Sequence, residues 1–119
     1  MQKVMIVDDA AFMRESLRKL LTSNGLEVVG EAEDGSDAVE KYTALKPDLV
    51  TMDITMPVMD GITAIKKIME IDPEANIVVV SAMGQEKMVR DAVYAGAKWF
   101  LVKPFNNEKV LETIQRFLS

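Results

Sequence analysis

Short unbroken apolar runs alternate along the chain with stretches whose apolar residues recur every three to four positions. Residues 3–7 (KVMIV) are apolar after the first, and within 76–80 the run Ile77, Val78, Val79, Val80 is wholly apolar. Runs of this length, rich in β-branched residues, predict strands buried on both faces. Residues 48–52 (DLVTM) and 98–102 (KWFLV) read the same way. Residues 26–32 (LEVVGEA) also predict a strand, but their polar interruptions place it nearer a sheet edge. The intervening segments have helical periodicity. Met13, Leu17, Leu20 and Leu21 share a face within 11–24, and Val39, Tyr42 and Leu45 do so within 36–45. Ile62, Ile65, Ile68 and Met69 repeat in 62–71, and Met88, Val89, Ala92 and Val93 in 85–95. Residues 107–118 place Val110, Leu111, Ile114, Phe117 and Leu118 together. Gly25 and Gly96 stand as C-terminal caps, Pro47 and Pro73 close two further helices, and 54–61 (ITMPVMDG) is a turn-rich loop.

The order is a strand followed by a helix, five times over, without linker or repeat. Strands apolar on both sides need helices above and below a parallel sheet. Right-handed crossovers leave few topologies, and the expected one is α/β: a flavodoxin-like, doubly wound five-stranded parallel sheet in the order 2-1-3-4-5 with five helices. Residues 1–119 then form one domain. In such sheets ligands sit at the carboxyl ends of the strands, beside the switch point between strands 1 and 3.

Composition narrows the chemistry. The 119 residues contain no cysteine and no histidine, which excludes disulfides, thiolate and imidazole zinc sites, thiol nucleophiles and Ser-His triads. Net charge is −5, and it is uneven: residues 1–60 carry 6 basic and 12 acidic side chains, residues 61–119 carry 8 and 7. An acidic chain lacks the basic footprint of a nucleic-acid binder, and its charge favours a monomer. With no signal-peptide pattern and no long apolar span, a cytoplasmic protein without membrane contact is expected.

Polar residues follow the apolar runs directly. Strand 1 ends in Asp8-Asp9, strand 3 in Asp53, strand 4 in Ser81-Ala82 and strand 5 in Lys103-Pro104. Singly, each has an ordinary explanation: Asp8-Asp9 as a helix cap, Ser81 as a turn residue, Lys103 as a solvated rim lysine. Asp53 has no helix directly after it, so capping explains it less well. Three acids, a hydroxyl and a lysine at one sheet edge are not a capping set. Converging carboxylates repel, so one must take a proton or a cation must bind. A hard divalent cation such as Mg²⁺, held by oxygen ligands, fits a chain without His or Cys. A carboxylate beside it can serve as a nucleophile toward phosphorus, with the cation and Lys103 neutralising charge and Ser81 donating a hydrogen bond.

These residues resemble the receiver domain of two-component response regulators, and the resemblance covers the whole chain. Residues 51–61 (TMDITMPVMDG) and 81–85 (SAMGQ) are most similar to single-domain chemotaxis regulators of the CheY type. The resemblance implies Asp53 as phosphoacceptor. It implies Asp9 and Asp53 as direct Mg²⁺ ligands, Asp8 as a ligand through water, and the Thr55 backbone carbonyl as a further ligand. Lys103 contacts the phosphoryl group through its side chain and precedes a cis peptide to Pro104. Ala82 lies at the phosphoryl pocket. Ser81 and Phe100 form the switch pair, with Phe100 lacking the phenolic hydroxyl of the tyrosine that many chemotaxis regulators carry. Thr55 and Met83, two residues beyond Asp53 and Ser81, flank the site and are poor bases for an attacking water.

The resemblance also implies a partner face on the fourth helix, fifth strand and fifth helix, with Lys87, Arg90, Lys98 and Trp99 as contacts. Of the nine methionines, Met56, Met59, Met83 and Met88 fall near the site, where Met83 and Met88 are candidate partner contacts and core filling is the alternative. The phosphoryl donor lies outside this chain, since no residue here forms a phosphohistidine: a histidine kinase or phosphotransfer domain is expected, with small acyl phosphates as further donors. A flagellar switch protein and a phosphatase are the expected further partners. A phosphorelay intermediate, or a receiver cut from a longer regulator, is the alternative within this class. Two other classes fit less well. An aspartyl phosphatase needs a substrate cap for which there is no insertion. A flavin carrier needs a Ser/Thr/Gly-rich phosphate loop where this chain has Asp-Asp-Ala-Ala. The chain is therefore expected to be a signalling switch rather than an enzyme.

Overall fold

A computed structural model of the chain describes residues 2–82 and 84–118. Ten elements alternate: β1 (Lys3–Val7), α1 (Ala11–Ser23), β2 (Glu27–Ala32), α2 (Gly35–Leu45), β3 (Leu49–Met52), α3 (Gly61–Ile71), β4 (Ile77–Ser81), α4 (Glu86–Ala95), β5 (Trp99–Val102) and α5 (Asn107–Leu118). The strands form one sheet in the order β2-β1-β3-β4-β5, all neighbours parallel. This is the expected doubly wound sheet. β2 lies at its edge, and apart from Ala32 its residues are only partly covered, as its polar interruptions foretold.

Alternate residues of each central strand feed two cores. Met5, Val7, Val50, Met52, Ile77 and Val79 meet Ala38 and Tyr42 of α2, Ile65 and Ile68 of α3 and Ala92 of α4. Val4, Ile6, Leu49, Val78 and Val80 meet Leu17 and Leu21 of α1 and Val110 and Ile114 of α5. Each such fully buried aliphatic side chain contributes about 1.5–3 kcal/mol of transfer free energy, so the two-sided strands are the main cohesive element.

Helix ends differ from the sequence expectation by a residue or two, for local reasons. α3 starts at Gly61 because Asp60 caps it, accepting from the Thr63 N–H at 2.9 Å. α2 ends on Lys46, a left-handed residue with φ of 47°, whose N–H bonds to the Tyr42 carbonyl. α1 ends one residue early, with Asn24 as its cap and Gly25 beyond it at φ +82°. α1 also starts without a side-chain cap: its N-cap is Ala10, so neither Asp8 nor Asp9 takes that role. Among the described residues, no helix is long and apolar enough to cross a membrane.

Candidate functional site

The order of the sheet puts the ends of β1 and β3 side by side, and β4 and β5 continue the same edge. One ladder bond runs past each strand end: the Asp53 N–H donates to the Val7 carbonyl at 2.9 Å, the Asp8 N–H to Ala32 at 3.1 Å and the Lys103 N–H to Ser81 at 2.9 Å. The first residues beyond the strands are thus held by backbone, and their side chains converge. Carboxylate oxygens of Asp8, Asp9 and Asp53 all lie within 4.8 Å of one another. Asp8 and Asp53 are buried, whereas Asp9 is exposed. Lys103 Nζ donates to Asp8 Oδ2 at 2.7 Å and stands 3.8 Å from Asp53 Oδ2.

Asp53 is fixed on several sides. Its Oδ1 accepts from the Ile54 N–H at 2.8 Å. Gly61 lies so close that a Cβ there would collide with the Asp53 carbonyl oxygen, which explains a glycine at that helix start. The Gly61 N–H donates to the Ile54 carbonyl at 2.8 Å, closing the β3–α3 loop over the site. At the far end of that loop, the Gly35 N–H donates to the Met59 carbonyl at 2.9 Å.

Electrostatics follow from this crowding. Burial pushes the Asp53 carboxyl above its ordinary range, and Asp8 pushes the same way. Lys103, the Ile54 N–H and a hydrogen bond from Ser81 oppose the rise without cancelling it. One lysine therefore leaves the three acids short of positive charge. The donors are all oxygens and two are buried, a set suited to a small hard divalent cation and unsuited to soft metals.

Of the residues singled out by sequence, Asp8, Asp9, Asp53, Ser81 and Lys103 meet in this pocket. The Lys103–Pro104 peptide is cis. Ala82 and Thr55 are exposed beside it, in the loops that leave β4 and β3. Met83 lies outside the described residues. Phe100 is half-buried, pairs with Val79 across the sheet and packs against the α2–α3–α4 core. With Val89, Val93, Lys98 and Trp99 it lines a cavity of about 310 Å³ between α4 and β5. Lys87 and Arg90 are exposed on α4, each paired within the helix, to Asp91 at 3.1 Å and Glu86 at 3.2 Å. Met56, Met59 and Met88 are half-buried and pack on the core, so gap filling accounts for much of their surface.

Sequence reasoning missed several contributors. Asp60 and Gly61 set the start of α3. Arg14 donates through Nη1 to the Asp8 carbonyl at 2.6 Å. Val89 and Val93 line the α4–β5 cavity, and Arg116 lies over the Trp99 ring at 5.2 Å. Helical periodicity hinted at the valines only as core positions; an aspartate just ahead of a periodic run is the signal that could have found Asp60, and nothing local signals Arg14 or Arg116.

Comparison with known proteins agrees with the geometry. Residues 4–115 match the response regulator receiver domain, a span that includes all five strand-end positions. The chemotaxis protein CheY of Bacillus subtilis (strain 168) is 60% identical over 117 residues, covering 98% of each chain. That of Thermotoga maritima is 60% identical over 115 residues, 97% of this chain and 96% of that one. A crystal structure of a CheX-CheY-BeF3-Mg+2 complex from Borrelia burgdorferi superposes with a TM-score of 0.95 at 42% identity, covering 99% of this chain and 90% of that one. With acids from β1 and β3 gathered against the β5 lysine, and this match along nearly its whole length, the chain belongs to the response regulator receiver domain family.

Proposed function

We propose that the chain is a phospho-accepting switch of a chemotaxis signalling pathway. The observation that carries this reading is the meeting of Asp8, Asp9 and Asp53 within 4.8 Å, with Lys103 as their nearby cation. Asp53 is the acceptor: its carboxylate attacks the phosphorus of a phosphohistidine on a kinase or phosphotransfer domain, a P–O bond forms, the P–N bond breaks and the imidazole leaves. Asp8, Asp9, Asp53 and the Thr55 carbonyl would hold Mg²⁺, and bound Mg²⁺ supplies positive charge to the transferring oxygens. Lys103, freed from part of its bond to Asp8, turns its ammonium toward the phosphoryl group. Ser81, already bonded to Asp53, donates its hydroxyl there. Little else is required, because phosphoryl transfer depends chiefly on alignment and charge neutralisation.

The state of the site is passed along β5. Phe100, three residues before Lys103, lines the cavity against α4, so a shift at the strand end reaches a surface built from Lys98, Trp99, Val93 and the exposed Lys87 and Arg90. This face is assigned to a flagellar switch partner. A phosphatase is a further expected partner, and the likeness to a CheY chain in complex with CheX supports docking of a second protein on this fold. Thr55, and Met83 by its identity alone, offer no strong base to an attacking water, so hydrolysis is left to the partner. The chain is then a switch rather than a turnover enzyme, and a cytoplasmic setting follows from kinase access.

Incubation with Mg²⁺ and acetyl phosphate, followed by intact-mass measurement, tests the reading. One phosphoryl group should add to the wild type and none to Asp53→Asn. Labelling of Asp53→Asn at the wild-type rate would overturn the assignment of the acceptor.

A further inference from the structure

We propose that Arg14 is a positioning residue for the cation-binding acids, acting by clamping the Asp8–Asp9 peptide to the end of β2; the proposal rests on the reading of the site as a Mg²⁺-dependent phosphoacceptor. The guanidinium spans two strands. Nη1 donates to the Asp8 carbonyl at 2.6 Å, Nε donates to Glu31 Oε1 at 3.2 Å, and Nη2 stands 3.7 Å from Glu33 Oε1. Its side chain is 13% exposed. Glu31, the anchor, lies within β2, and Lys41 Nζ donates to its backbone carbonyl.

A peptide unit is planar, so fixing the Asp8 carbonyl also fixes the nitrogen and Cα of Asp9. The Asp8 N–H is already tied to Ala32, and Asp8 Oδ1 accepts from the Ala10 N–H at 2.9 Å. The Arg14 bond completes the restraint on the turn from which both acids reach the pocket. Helix stability does not account for Arg14. It sits near the start of α1, where a cation opposes the helix dipole, in a helix with no side-chain cap and no acidic residue in its first turn. A planar fork that reaches a carbonyl and a carboxylate at once is a task for arginine rather than lysine.

The control is built into the fold, because Arg18 binds the same Glu31 but has no bond to Asp8 among those observed. If arginine acted on the site only as a nearby positive charge, removing either one would tighten Mg²⁺ binding. The clamp predicts the opposite sign for Arg14 alone. Calorimetric Mg²⁺ titration of the wild type, Arg14→Met and Arg18→Met, with thermal unfolding to verify folding, separates the two. Arg14→Met should weaken Mg²⁺ binding about tenfold, as loss of a group supporting metal ligands typically does. Arg18→Met, which loses a partly exposed ion pair, should stay within about twofold of the wild type. If Arg14→Met does not fold, Arg14→Lys decides: it keeps one contact and should bind more weakly than Arg18→Met. Wild-type or tighter binding in the folded Arg14 variant, or equal weakening in the Arg18 variant, would overturn the proposal. A wild-type chain that takes up no Mg²⁺ would overturn the phosphoacceptor reading itself, and the clamp with it.

Discussion

Thr51 is buried in β3 two residues before Asp53, and among the described residues its hydroxyl has no hydrogen-bond partner. Its register neighbours are Ile6 and Val78, both apolar. An unsatisfied buried hydroxyl costs roughly 1–3 kcal/mol, and valine has nearly the same shape. Thr51→Val should therefore stabilise the fold by about 1 kcal/mol and raise the thermal midpoint by about 4 °C for a domain of this size. A lowered midpoint in thermal denaturation would contradict this. Val58 carries strain of another kind. It is 85% exposed, so burial returns little, and its φ of 67° is a conformation β-branched residues avoid. Such strain costs on the order of 1–3 kcal/mol, and asparagine tolerates the left-handed region better. Val58→Asn should shift the urea midpoint upward, by about 1 kcal/mol of stability, with the slope unchanged. Neither residue stands out in the sequence, since an unpartnered hydroxyl and a positive φ depend on what surrounds them. Asp8, Asp9, Asp53 and Lys103 were legible because each directly follows an apolar run. Arg14 was not, because its carboxylate partners, Glu31 and Glu33, lie far along the chain at the end of β2.

At the scale of elements, the strands were legible from their unbroken apolar runs and the helices from their spacing, and the β2 edge from Glu27, Gly30 and Glu31. Gly25 and Gly96 marked two helix ends, but the pattern did not reveal how the helices begin, because N-caps are single contacts. Asp60 is the clearest case. Its Oδ1 accepts from the Thr63 N–H at 2.9 Å and its Oδ2 from the Thr63 hydroxyl at 3.0 Å. Burial works against its charge, but these bonds prevail and hold the carboxyl below its ordinary range. Asp60→Ala should cost about 1 kcal/mol, the usual worth of such a cap. The sign with pH is fixed by the lowered value. The cap contributes fully above the ordinary carboxylate pKa, and its contribution fades as pH falls through the folded-state value. The gap in thermal midpoint between wild type and Asp60→Ala should thus be widest near neutrality and close in acid. A gap that widens in acid would contradict the cap. Gly61 makes the same helix start a functional matter. A methyl group there would collide with the backbone of Asp53, so Gly61→Ala should slow phosphorylation by acetyl phosphate more than it lowers stability.

Across the whole molecule, the acidic half and the near-neutral half have separate tasks. β1 and β3 bring the acids, while β4 and β5 bring the hydroxyl and the lysine that answer them. The second pair also leads away from the pocket. Ser81 pairs with Val102 and Val79 with Phe100, and the Lys103 N–H is bonded to the Ser81 carbonyl. On the proposed mechanism, a phosphoryl group on Asp53 would draw Ser81 and Lys103 toward it and so pull on adjoining ends of two neighbouring strands. Trp99 is the only tryptophan of the chain, and it sits on β5, where that pull would arrive. The residue is 38% exposed, and its ring lines the cavity shared with Phe100, lies under Arg116 at 5.2 Å and meets Phe117 at 6.1 Å. An indole on a partly exposed residue beside a cation responds to small changes in solvent contact or in that charge. Acetyl phosphate with Mg²⁺ should change the Trp99 emission intensity or wavelength in step with labelling of Asp53, whereas Mg²⁺ alone should change it little. Asp53→Asn should abolish the change. Phe100→Ala should uncouple it, leaving labelling intact and the emission nearly constant. A fully labelled wild-type protein with unaltered emission would show that the α4–β5 face is insulated from the acid pocket and that its signal leaves by another surface.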